Sequence, residues 1–582
     1  MRPLRTLGRY RGLLTRYLRS QLPMMILLAV ILFGSIVVQI ATPLATSRFI
    51  DRAASGGAER GLVVLALLTI ALVIVGQGLA VAETYVAENV SWVATNALRV
   101  DLVAHLLRLD SGFHAAHTPG ELIERVDGDV AALARFFSRF VVSLLGNLLL
   151  IIGVLVLLFT VDWRIGLGLT AFVVVAIAAM VRIRAKATPY SAAERQASAE
   201  FYGFIGETLA GREDIRSNGA EGFVLRRCAQ RMRSWLSATL RAQIRGYGMV
   251  ATTEGMFGLG AATAIGLSCV LYQDGALTLG AVYLVFRYTE MLRQPTEQIR
   301  NEIQDLQQAD ASIGRVESLL ATEPALVDGP AEHLPAGPLS VQFDGVSFAY
   351  ADGTPVLRGV DFFLEPGRVL GVIGRTGAGK TTLTRLIPRL VDPRCGSVRL
   401  GGVDLRTVRI DGVRSRVGVV TQDVQLFSAS LRDNLTLFDE RISGDRLLEV
   451  LETLGMGGWL AGLPRGLDTI LNDEIGLSAG QAQVLACARI FLNDPDVVIL
   501  DEASSRLDPA TERLVHESLL RLLDGRTGIV VAHRLATIAI ADDILVIENG
   551  QVREHGPRLV LAADPGSRFS ELLRLSTEEE LS

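Results

Sequence analysis

The chain has 582 residues, too many for a single core, and a formal net charge of −5 that gives no reason to expect nucleic acid as a partner. Hydrophobic residues make up 49% of it and aromatics only 6%, with a mean hydropathy of +0.36. That apolar content is Leu, Val, Ile and Ala, the palette of bilayer helices rather than of a soluble domain. Cys228, Cys269, Cys395 and Cys487 show neither metal-ligand spacing nor a disulfide framework. They read as small buried hydrophobes.

The N-terminus is basic, with Arg2, Arg5, Arg9, Arg11, Arg16 and Arg19 ahead of an apolar run from Leu22 to Ala45. A cleavable signal peptide would have a shorter core and a small-residue cleavage site. The run is long enough to span, so it is expected to be a first membrane helix with its N-terminus in the cytoplasm. Six spans are predicted in all, at about 22–45, 62–82, 138–160, 164–182, 248–271 and 278–295. Short loops join spans one and two, three and four, and five and six. The stretches 83–137 and 183–247 are long and carry most of the Arg, which puts them on the cytoplasmic side. They lack breakers, so the helices are expected to run well past the bilayer and turn back near Gly120-Glu121-Leu122 and near Gly211 to Asn218. Polar residues within or near the spans are Gln39, Glu83, Asn147, Thr253 and Glu254. Glu83 and Glu254 either touch a transported substrate or lie near the cytoplasmic end, solvated or paired to Arg.

The text changes character near residue 325. Residues 321–338, with Pro324, Pro330 and Pro335, read as a linker between a first domain (1–320) and a second (339–576), followed by a tail (577–582). The second domain holds short apolar strands, Gly-rich turns and amphipathic helices. After the strand-like Val369 to Ile373 comes Gly374-Arg375-Thr376-Gly377-Ala378-Gly379-Lys380-Thr381, and then a helical pattern that begins with Thr382. This is a phosphate-binding loop in its required strand-loop-helix context, and by itself it fits ATP or another nucleotide. Its glycines let backbone N–H groups wrap phosphates, and the following helix points its positive end at them. Lys380 is expected to reach the terminal phosphates and the Thr381 hydroxyl to bind Mg²⁺. The apolar run Val497 to Leu500 delivers Asp501, suited to Mg²⁺, and Glu502, suited to polarising the attacking water. A further strand, Gly528 to Ala532, ends at His533, placed to hold the γ-phosphate and orient that water.

Together these pieces resemble the ATP-binding cassette family in its exporter-type half-transporter arrangement, over essentially the whole chain. The most specific element is Leu477-Ser478-Ala479-Gly480-Gln481, which resembles the family signature and lies about twenty residues before the acid pair. The resemblance implies a multidomain membrane protein, an all-α six-helix transmembrane domain followed by an α/β P-loop NTPase domain. It also implies two cassettes packed head to tail. Each ATP is then shared between one chain's phosphate loop and the other's signature, with Ser478 and Gly480 donating to the partner's γ-phosphate. By the same resemblance Tyr350 stacks on adenine. Gln422 contributes to the Mg²⁺ site and contacts the transmembrane domain. Asp508, in Ser505-Arg506-Leu507-Asp508, lies in the loop that crosses the dimer interface. Thr118 to Ile123 and Glu207 to Ile215 resemble the two cytoplasmic coupling segments.

Four departures stand out: Ala479 where Gly is usual, Ala482 for a common Arg, Arg506 for a small residue, and Asn472 for a Glu. They favour a heterodimer with a second half-transporter that carries matching changes. The expected function is ATP-driven export of a small or amphipathic substrate across a bacterial inner membrane, cassette in the cytoplasm, with import on the same fold as the alternative. Intact Lys380, Asp501, Glu502, Gln422 and His533 imply a working ATPase.

Overall fold

The computed structural model describes residues 16, 17, 19–135, 141–330, 333–350, 353–421, 424–471, 477–501, 509–531 and 538–580. Backbone contacts divide the chain into two compact units. One comprises 1–107 with 119–322, and the other comprises 108–118 with 323–582. Residues 323–338 of the linker thus cluster with the second unit, as do residues 108–118 of the stretch between the second and third long helices.

The first unit is built on six long helices: α1 (Leu22–Ala54), α2 (Glu59–Arg108), α3 (Val141–Val161), α4 (Trp163–Ala210), α5 (Glu221–Gln273) and α6 (Leu279–Leu320). At 1.5 Å per residue the 50 residues of α2 reach about 75 Å, against roughly 30 Å of hydrocarbon, so the extension past the bilayer follows from length alone. Among the described residues five helices are long and apolar enough to cross a membrane. The sixth predicted span, within α6, carries Arg287, Glu290 and Arg293 and is far less apolar. Apolar side chains of α1, α3, α4, α5 and α6 form the shared core, which includes Val154, Leu158, Val285 and Tyr288.

Local chemistry fixes the N-terminal end of α6. Thr278 caps the helix by accepting from the Ala281 N–H at 3.2 Å. The Asp51 carboxylate of α1 accepts from the Thr278 hydroxyl at 2.8 Å and from the Gly280 N–H at 2.7 Å. A Cβ at Gly280 would lie 2.2 Å from the Ser47 carbonyl oxygen, so no larger residue fits there. At the other end buried Asp129 takes a two-pronged ion pair from Arg315, and His105 Nε2 lies 2.9 Å from the Leu319 carbonyl.

The second unit has two sheets. An antiparallel sheet runs β2 (Pro355–Leu364), β1 (Val341–Ala349), β4 (Cys395–Leu400), β5 (Val403–Asp404). The second runs β10 (Gln551–Pro557), β9 (Asp543–Glu548), β3 (Val369–Ile373), β8 (Thr527–Val531), β7 (Val497–Asp501), β6 (Val417–Val420), parallel except for β10. β3, β7 and β8 are almost wholly buried, as parallel strands covered on both faces must be. The chain leaves β3 into α7 (Lys380–Leu386); α8 (Ala479–Asn493) and α9 (Pro509–Leu523) pack together.

Three expectations need correcting. Residues 577–580, read as a tail, continue the helix Arg568–Glu580. Of the four cysteines only Cys487 is buried, and Cys269 and Cys395 are exposed, because scattered single residues carry no burial signal of their own. The first cytoplasmic turn also starts earlier than expected. A helix at Ser111–Ala116 precedes Pro119–Ile123 and belongs to the second unit. The second turn, Arg212–Ser217, falls where Gly211 to Asn218 predicted.

Candidate nucleotide site

The loop after β3 is shaped by glycine where no side chain could serve. A Cβ at Gly374 would meet the Ile547 carbonyl oxygen at 2.3 Å. Gly377 and Gly379 have φ of +82° and +103°, a region that L side chains rarely adopt. Gly379 is the N-cap of α7, and its carbonyl accepts the Leu383 N–H at 2.9 Å. Lys380 is buried, and its ammonium donates to the Gly374 carbonyl across the loop, so the cation already points over the loop's mouth. Thr381 is exposed beside it.

Register places Asp501 at the same end of the sheet. Val372 of β3 pairs with Val531 of β8, and Val531 pairs with Asp501 of β7. A carboxylate and a hydroxyl therefore stand at the carboxyl ends of parallel strands, where open α/β sheets take their ligands. This oxygen donor set suits Mg²⁺. Tyr350 follows β1; its ring meets Phe348 edge-on at 5.0 Å, and its hydroxyl lies 3.1 Å from that of Thr382. The adenine platform expected from sequence is thus tied to the helix of the phosphate loop. Glu502, His533, Gln422 and Asp508, with Arg506 and Asn472, lie outside the described residues.

A cavity of about 300 Å³ opens at the loop. Arg375, Thr376, Gly377 and Ala378 line it, but so do Glu548, Asn549 and Arg568. Sequence reasoning missed these last three. One signal was legible: Asn549-Gly550, with φ of +51° and +78°, is the turn between β9 and β10. Nothing local predicted Arg568, which is held by Glu548 at 2.8 Å and by Glu571.

The signature segment forms the start of α8. Ser478 is the N-cap and closes a capping box. Its hydroxyl accepts from the Gln481 N–H at 3.2 Å, and the Gln481 side chain accepts from the Ser478 N–H at 3.0 Å. Ser478 and Ala479 are exposed, and Gly480 is buried. Farther along α8, burial pushes the Cys487 thiol up to about 12, so it is inert at neutral pH. Burial also pulls the Arg489 pKa down, while its guanidinium donates to the Asn434 and Gln425 carbonyls at 2.8 and 3.0 Å.

The piece that clusters with this unit is Ser111–Ala116. Asp110 caps it, accepting from the Phe113 N–H at 3.1 Å, and accepts from the Ala325 N–H of the linker at 3.2 Å. Ser111 donates to the Leu390 carbonyl at 3.4 Å. Buried Arg389 next door pairs with Asp392 and donates to the Val327 carbonyl of the linker at 2.7 Å. Burial works to raise the Asp110 pKa, but the backbone N–H donors of Phe113, Ala325 and Gly112 outweigh it and hold the carboxyl below its ordinary range.

A glycine-shaped phosphate loop at the edge of a buried parallel sheet, a capped signature helix and a long-helix unit define a membrane-bound transport ATPase. Residues 25–295 match the family model for the ABC transporter transmembrane region, and residues 357–505 match a second family model, described as ABC transporter. A fatty acid ABC transporter ATP-binding/permease protein of Mycobacterium tuberculosis is 30% identical over 471 residues, 81% of this chain and 74% of that one. An ATP-dependent lipid A-core flippase of Chromobacterium violaceum is 30% identical over 503 residues, 85% of each. Among solved structures, a bacterial Atm1-family ABC exporter with ATP bound is 25% identical, with a TM-score of 0.78 over 96% of this chain and 98% of that one. The chain belongs to the ABC transporter family, as an exporter-type half-transporter that couples ATP hydrolysis to transport. The importer alternative is not favoured.

Proposed function

We propose that this chain is one half of a two-cassette exporter that moves an amphipathic, lipid-like substrate outward across a bacterial inner membrane by alternating access. The supporting observation is the phosphate loop, preorganised by Gly377 and Gly379 with Lys380 aimed across it and Asp501 at the same sheet edge. Thr381, Asp501 and Gln422 would hold Mg²⁺, and the ion would neutralise charge on the transferring phosphate. Glu502 orients the attacking water, His533 holds the γ-phosphate, and Tyr350 stacks the base. Ser478 and Gly480 reach the ATP of the partner chain, and Asp508 crosses between the cassettes. ATP binds the closed cassette pair better than the open one, and that difference supplies the work.

Ser111–Ala116 and Arg212–Ser217 are the segments through which closure reaches the long helices. The lipid-like substrate class is supported by relatives whose names record fatty acid and lipid A-core as cargo, and by the mostly apolar spans. The exposed methyl of Ala479 and the departures at Ala482, Arg506 and Asn472 support a mate of different sequence. The N-terminus and the cassette face the cytoplasm. Glu502→Gln in the assembled transporter should abolish steady-state ATPase and trap ATP between the cassettes. Undiminished turnover would remove Glu502 from its role.

A further inference from the structure

The bilayer segment of α6 is not built to face lipid tails. Leu284, Val285, Tyr288, Thr289, Leu292 and Thr296 are buried. At about 100° per residue they share one face. The opposite face carries Tyr283, Arg287, Glu290 and Gln294. Arg293 on the flank is accounted for, since it pairs with Glu254 of α5 at 2.8 Å. Asn147 likewise donates to Gln298 at 2.7 Å. Arg287 and Glu290 are different: among the described residues neither makes a hydrogen bond or ion pair. Arg287 is exposed and Glu290 half-buried. Charges within a membrane span turn to protein or water rather than to lipid tails and take a partner there.

Resting on the exporter reading above, we propose that Arg287 and Glu290 form a headgroup subsite for a zwitterionic phospholipid, phosphate on Arg287 and ammonium on Glu290. The choice follows from charge. The two side chains stand three positions apart on one helical face, close enough to engage two ends of one small group. A purely anionic headgroup would satisfy Arg287 and be repelled by Glu290. A neutral amphiphile would engage neither charge and leave them only each other, at i,i+3. A phosphate and an ammonium joined by a short bridge match both. Tyr283 and exposed Phe286 offer apolar surface to the chain ends beside the charged stripe.

The test uses the full transporter with its mate, reconstituted in liposomes. ATP-dependent movement of fluorescent short-chain phosphatidylethanolamine, phosphatidylglycerol and diacylglycerol is compared. Phosphatidylethanolamine should move about tenfold faster than either. Glu290→Gln leaves a lone cation and should turn the preference toward phosphatidylglycerol. Arg287→Gln leaves a lone anion and should turn it toward a cationic lipid, while Arg287→Lys keeps the original order. A changed preference cannot come from misfolding, which would lower all rates together. Equal movement of the three lipids, or an unaltered order in both Gln variants, would overturn the subsite. So would a spontaneous disulfide between Arg287→Cys and a cysteine introduced in the mate, which would make the stripe a subunit contact. Wild-type transporter without MgATPase would instead sink the exporter reading itself.

Discussion

The phosphate loop and the signature helix hold themselves ready by different means. In the loop the backbone does the holding: Gly374 has no room for a Cβ, and Gly377 and Gly379 take positive φ. At the start of α8 two side chains do it, Ser478 and Gln481 satisfying each other's N–H groups. In the first arrangement the Lys380 ammonium, which donates to the Gly374 carbonyl, must turn toward an incoming phosphate while the glycine backbone stays as it is. The second can keep its capping box while Ser478 reaches a partner's nucleotide, because its hydroxyl only accepts in that box and its O–H is left to donate. In the proposed shared site a backbone-built cradle in one chain would meet a side-chain-capped helix end from the other.

That contrast can be broken in graded steps. Lys380→Ala removes the charged donor from the cradle; MgATP affinity measured by equilibrium binding should fall about 100-fold, the loss of charge-assisted hydrogen bonds. Near-normal affinity would mean that the backbone alone suffices. Ser478→Ala acts on the capped helix end. It should cost about 1 kcal/mol of cassette stability through the lost cap, read by thermal melting, and should lower ATPase of the assembled transporter without weakening this chain's own nucleotide binding. Ala479→Gly is smaller still. The methyl is exposed, so removing it should change melting by less than about 1 kcal/mol and leave ATPase near wild type. A several-fold gain in ATPase would instead show that the methyl weakens the shared site.

The smallest effect is expected at Asp110, which joins Ser111–Ala116 to the linker. Its folded pKa is depressed, so its ionised form contributes stability that is present above the ordinary carboxylate value of about 3.9 and is lost as pH falls through the folded value. The melting difference between wild type and Asp110→Asn should therefore be constant at neutral pH and shrink only in acid. A difference that vanished between pH 6 and 8 would assign the effect to another group.

The cassette was legible in sequence because its chemistry is local. A phosphate loop needs contiguous glycines, a Lys and a hydroxyl, and a buried parallel strand reads as an unbroken apolar run, so Gly374 to Thr382 and Val497 to Asp501 could be placed without coordinates. The apolar spans were legible for the same reason. The α6 charges were overlooked because Arg287, Glu290 and Arg293 are spread over two helical turns within an otherwise apolar count, and only the face they occupy shows what they share. The turn between α2 and α3 was placed several residues late, since the signal at Pro119-Gly120 marks its later part, whereas Asp110 at its beginning works through a bond to Ala325, 215 positions away.

Sequence alone determined the phosphate chemistry, the membrane and the order of the two units, because spacing along the chain suffices for loops, strands and spans. Tertiary structure decided that Asn549 and Arg568 border the phosphate loop, that Tyr350 is tied to Thr382, and which of the buried-depth charges are paired. These depend on contacts between residues far apart in the chain, and no local pattern of side chains carries that information.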